Sequence, residues 1–147
     1  CPYTYTPSTA TLTGACFIIY GATLPFAISL AANTNYYFSA EIFSTLASSA
    51  TANWDVVGLP NGATVTMCGQ TDTSATTSIE YGCTASTNTV LFGTAPTAAS
   101  VTTYIQVTVV MGSTAGAFDL EAVNAAPATG TMTTVAGSII LYWSGFS

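Results

Sequence analysis

Val101-Thr-Thr-Tyr-Ile-Gln-Val-Thr-Val-Val-Met111 alternates along its whole length. On an extended chain Val101, Thr103, Ile105, Val107 and Val109 fall on one side, and Thr102, Tyr104, Gln106, Thr108 and Val110 on the other. A helix would scatter the apolar set around its circumference, and the β-branched content favours a strand. Two further segments share the pattern. In Tyr36–Leu46, Phe38, Ala40 and Ile42 oppose Ser39, Glu41 and Phe43. In Gly116–Asn124, Phe118, Leu120 and Ala122 oppose Asp119, Glu121 and Val123, as in a half-buried strand.

Outward from these segments the chain keeps the same grammar. Helix signals are nearly absent, and Gly, Pro and Asn clusters punctuate it about every ten residues, as in sandwiches and barrels. Further strands are expected near Ala15–Tyr20, Pro25–Leu30, Asn53–Gly58, Thr64–Cys68, Ser78–Cys83, Thr89–Phe92 and Met132–Trp143. Thr71–Thr77 and Thr94–Ser100 read as loops. Pro2 and Pro7 keep the start extended, and Ala10 and Leu12 alternate with Thr9, Thr11 and Thr13. The expected organisation is an N-terminal arm, residues 1–14, and one all-β domain, residues 15–147.

Composition narrows the chemistry. The 147 residues contain no lysine, arginine or histidine; six carboxylates, Glu41, Asp55, Asp72, Glu80, Asp119 and Glu121, give a net charge of −6. The usual general base, phosphate clamp and imidazole metal ligand are therefore missing. The negative charge disfavours nucleic acid and anionic lipid. Serines lack a His or Lys partner to activate them, so no enzyme and no cofactor are expected. A two-carboxylate glycosidase is formally open but lacks any cleft legible in sequence. Asp119 and Glu121 could hold calcium, though they read better as solvated surface charges. Few ion pairs exist to be lost on acidification, so tolerance of acid is expected.

Four cysteines, Cys1, Cys16, Cys68 and Cys83, fit an oxidising compartment. Three pairings are open. Cys68–Cys83 is favoured because it closes a short loop, worth about 3 kcal/mol in the chain-entropy model. Cys1 and Cys16 would pair with each other or across a subunit boundary; buried free thiols are the alternative. A start at Cys1 rather than Met is read, as an expectation, as the product of a removed secretion signal, with a lipid on Cys1 as the competing possibility. Ala15–Ala32 is apolar but broken by Gly21, Thr23, Pro25 and Ser29 and has no basic flank, so two strands explain it better than a membrane span.

Trp54-Asp-Val-Val-Gly-Leu-Pro-Asn-Gly-Ala-Thr-Val65 resembles the strand and G-L-P-x-G-x-x-V turn of immunoglobulin-like β-sandwich domains in archaeal and bacterial surface proteins. Gly112-Ser-Thr-Ala-Gly-Ala-Phe-Asp-Leu-Glu-Ala-Val123 resembles their G-T-x-x-G-x-[YF]-x-L-x-V ending. The likeness spans about Tyr36 to Asn124 and implies an immunoglobulin-like sandwich. By layout and composition the chain is also similar to archaeal thread and bundling-pilus subunits, in which a terminal strand completes the neighbour's sandwich. It departs from heavily N-glycosylated threads, having no Asn-x-Ser/Thr site.

The resemblance implies an extracellular homopolymer held by donor-strand complementation. The polymerisation arm would use Pro7, Ala10, Leu12 and Gly14, with Phe17 and Ile19 nearby as apolar plugs. Sheet edges without lysine guards point the same way. Identical subunits are the expected partners, with surface glycans or neighbouring filaments as further contacts. A cell-surface adhesive or carbohydrate-binding module, using the chain's aromatics as a platform, is the alternative, as is a lipid-anchored envelope protein.

Overall fold

Eleven strands and no helix account for the regular structure among the described residues of the computed structural model, which are 4–5, 17–20, 27–46, 53–72, 79–85, 100–123, 132–134 and 138–145. In chain order the strands are β1 (Thr4–Tyr5), β2 (Phe17–Tyr20), β3 (Ala27–Leu30), β4 (Asn35–Leu46), β5 (Asn53–Val57), β6 (Thr64–Asp72), β7 (Ile79–Thr84), β8 (Ser100–Val110), β9 (Gly116–Val123), β10 (Met132–Thr134) and β11 (Ile139–Ser144). They form two sheets. The larger runs β1-β2-β11-β4-β8-β6-β7, with β10 also on β4; the smaller runs β3-β9-β5. Every ladder is antiparallel except β1 with β2.

The alternation read from sequence decides which side of each strand is dry. On β8, Val101, Thr103, Ile105, Val107 and Val109 are all buried, and on β4 so are Phe38, Ala40 and Ile42. Phe118 and Leu120 of β9, Trp54 and Val56 of β5, and Ile28 and Leu30 of β3 close over them from the smaller sheet. Their contact plane is marked by Phe38 and Phe118, whose rings stack 3.8 Å apart. The result is an all-β arrangement of two sheets packed face to face.

The Leu59-Pro-Asn-Gly62 turn forms as expected. Ala63 N–H donates to the Pro60 carbonyl at 3.1 Å, and Gly62 takes φ +90°, which favours glycine. This turn packs against the connection leading into β9. Ala117 N–H donates to the Gly58 carbonyl at 3.2 Å, and Gly116 lies against the Pro60 ring. The two segments that carry the resemblance are thus neighbours in space.

Two boundaries differ from the sequence reading. Met132–Trp143 is not one strand: β10 pairs with Ser44–Leu46 and β11 with Tyr36–Glu41. The register steps by two between those ladders, since Thr134 is opposite Ser44 and Ile139 is opposite Glu41. Ser138 bridges the mismatch, its hydroxyl accepting from Phe43 N–H at 3.0 Å and donating to Phe43 O at 3.4 Å. The fifth predicted strand, Thr64–Cys68, runs on to Asp72, into residues read as loop. Thr71 is held there by a buried hydroxyl–hydroxyl bond of 2.9 Å to Thr103, its register partner on β8. Period-two apolar counting cannot see such a pair, because both members are polar and both are inside. The expected strand Thr89–Phe92 lies outside the described residues.

Candidate functional site: the outer face of the large sheet

The larger sheet has a second face, turned away from the core. Its composition follows from register. Across β7, β6, β8, β4 and β11 runs the row Tyr81, Gln70, Tyr104, Glu41, Ile139. The next row is Cys83, Cys68, Gln106, Ser39, Leu141. A third runs Thr66, Thr108, Tyr37, Trp143, its two aromatic rings 5.4 Å apart. Polar amides and hydroxyls therefore occupy the β6–β8 side of the face, and aliphatic and aromatic groups the β11 side.

A groove of about 570 Å³ opens in the first two rows. Ser39, Cys68, Gln70, Tyr81, Cys83, Tyr104 and Gln106 line it. Tyr81 stands 72% exposed and Tyr104 43% exposed, the two large rings most open to solvent among the described residues. Tyr104 is oriented by its hydroxyl, which donates to Glu41 Oε1 at 2.9 Å. The Cys68–Cys83 disulfide forms one wall and ties β6 to β7 between directly opposed residues, Cα atoms 4.1 Å apart. The favoured pairing of these two cysteines is the one observed.

The arm residues fare differently. Pro7, Ala10, Leu12 and Gly14, with Cys1 and Cys16, lie outside the described residues. Phe17 and Ile19 are on β2, inside the larger sheet: Ile19 is opposite Tyr5 on one side and Ile140 on the other, and Phe17 is opposite Tyr142. The start of the chain pairs with its own body through Thr4 and Tyr5.

Carboxylates gather loosely on the small sheet. Asp55 and Glu121 are register partners, and Asp119 lies opposite Val57. Burial raises the Asp55 carboxyl above its usual range, partly offset by a hydrogen bond from the Val56 backbone. Among the described residues, no three side chains of metal-binding type come together. Burial, followed by the neighbouring Tyr36, pushes the Tyr142 phenol well above its ordinary range. No helix among the described residues is long and apolar enough to cross a membrane.

Sequence reading missed the groove. Its members were each visible as the polar side of an alternating strand. Only the pairing of β6 with both β7 and β8 brings Tyr81, Gln70 and Tyr104 into one line. Comparison with known proteins adds no relative: no family model, no curated protein and no solved structure matches this chain.

Proposed function

We propose that the protein is a structural subunit of an extracellular filament, with an immunoglobulin-like body, whose copies complete one another by strand addition. The observation that carries this reading is the edge of the small sheet. Strand β3, Ala27-Ile-Ser-Leu30, pairs only with β9 among the described residues and holds no charge and no proline. Soluble sheets usually guard such an edge with lysine, a charge turned inward, a proline or a bulge. This chain has no lysine anywhere and no charge in its first 40 residues. A segment of similar chemistry, residues 7–14, is supplied by the same chain and would be the donor. Ala10 and Leu12 are its apolar plugs, with Phe17 and Ile19 at its root on β2.

Composition supports a structural role over a catalytic one. Hydroxyls, amides and carboxylates are the chain's polar side chains apart from its cysteines and two tryptophan indoles. The disulfide fits assembly in an oxidising compartment. Identical subunits are the proposed partners, with glycans or neighbouring filaments on the outside.

Deleting residues 1–14 tests the reading. The truncated chain should remain a folded single particle, and a synthetic peptide of residues 7–14 should bind it and raise its melting temperature. Filaments that form normally without the arm would overturn the assignment of the donor.

A further inference from the structure

The groove on the outer face has features that a packing surface between subunits does not require. We propose that it is a binding site for a neutral oligosaccharide chain. This rests on the large sheet alone and is independent of the filament reading.

Three observations converge. The first is the aromatic pair. Tyr81 and Tyr104 lie on β7 and β8 with β6 between them, so their backbones are two strand spacings apart, about 10 Å. Both rings are exposed, Tyr81 at 72%. A tyrosine ring offers a flat apolar surface with a polar rim, which suits a sugar's C–H face. Two strand spacings are on the scale of two linked pyranose rings, so a chain laid across the strands can meet both tyrosines.

The second is the polar set between them. Gln70 stands in line between the tyrosines, and Gln106 and Ser39 lie in the adjacent row. An amide both donates and accepts, and a hydroxyl does the same, so together they match the paired hydroxyls of a sugar edge. Few polar groups around an apolar platform are the usual make-up of a small-molecule site.

The third is charge. The row itself contains Glu41, which accepts from the Tyr104 hydroxyl, and by register Asp72, opposite Ile79, stands two residues along β6 from Gln70. A carboxylate in a chain with no cationic side chain accepts from hydroxyls and repels anions. Phosphorylated, sulfated and uronic ligands are disfavoured; a neutral polyol is not. The disulfide wall holds β7, and so Tyr81, in place.

Titration calorimetry on the full chain is the test. The probes are cellohexaose, chitohexaose, laminarihexaose and xylohexaose, with trigalacturonate as the anionic comparison. At least one neutral hexasaccharide should bind saturably, and trigalacturonate should not. Tyr81→Ala should weaken that binding about tenfold or more, which corresponds to about 1.4 kcal/mol, while Tyr81→Phe stays within a few-fold of the parent. Gln70→Ala should weaken it too. Thr114→Ala, on the exposed connection between β8 and β9, should leave it unchanged. Circular dichroism of each variant reports folding; the exposure of Tyr81 makes its truncation compatible with the native fold. The proposal is overturned if no neutral probe binds at millimolar concentration, if trigalacturonate binds more tightly than every neutral probe, or if Tyr81→Ala abolishes association between copies while saccharide binding is unaffected.

Discussion

The rings of Phe38 and Phe118 lie face to face, their centroids 3.8 Å apart and their planes 5° from parallel. One belongs to each sheet, both are fully buried, and Tyr142 stacks on Phe38 at 5.4 Å from the neighbouring strand. This stack joins the layers near the middle of the core. Phe118→Ala should destabilise the protein by about 3–5 kcal/mol, as expected for a buried aromatic truncated to a cavity. Phe118→Leu should cost less. Urea unfolding followed by tryptophan fluorescence measures both, and equal costs would assign the whole effect to the ring stack rather than to lost volume.

Gly116 and Pro60 set a tight joint between the β5–β6 turn and the start of β9. A Cβ at position 116 would run into the Pro60 ring. Gly116→Ala should therefore destabilise by about 1–3 kcal/mol, the usual range for overpacking. Pro60→Ala in the same chain should recover part of that loss. The double-mutant cycle checks it, and strict additivity would place the strain elsewhere.

The Cys68–Cys83 bond closes a separation of 15 residues. Replacing both cysteines by serine should lower stability by about 3 kcal/mol in the chain-entropy model. Because the bond joins β6 to the edge strand β7, the loss should appear first as faster hydrogen exchange in Ile79–Thr84. Uniform acceleration across β4 and β8 instead would mean that β7 is integral to the global fold.

Asp55 titrates at a higher pH in the folded chain than in the unfolded one, because burial disfavours its charge. The folded state thus holds its proton more tightly. The resulting stability is full below the unfolded carboxylate range and is lost as pH rises through the folded value. Asp55→Asn should flatten this part of the pH–stability curve and stabilise the protein near neutrality. Tyr142 has the same sign at the alkaline end: its contribution is lost as pH climbs beyond the ordinary phenol value of about 10. Tyr142→Phe should blunt alkaline unfolding. Denaturant midpoints across the pH range test both substitutions.

What sequence reveals here is local. Val101 to Val109 and Phe38 to Ile42 announce their dry faces because a half-buried strand has a period of two. The Pro60-Asn-Gly62 turn is legible from the conformational freedom of Gly62. Pairing is not legible, since alternation says which side is wet and never which strand lies alongside. Nothing in Asn35–Leu46 announces that it pairs with β8, β10 and β11. The interruption of Met132–Trp143 escapes for a related reason: Ser138 replaces ladder bonds with its own hydroxyl, and serine is ordinary in any strand. The line Tyr81, Gln70, Tyr104, Glu41 spans residues 41 to 104 and exists only once four strands are in register.

Strand exchange between copies is the central claim, and negative-stain microscopy of the purified 147-residue chain with its disulfide formed tests it most directly. The account predicts filaments of uniform width that vanish when residues 1–14 are removed. Discrete single particles at every concentration, with or without the arm, would contradict it.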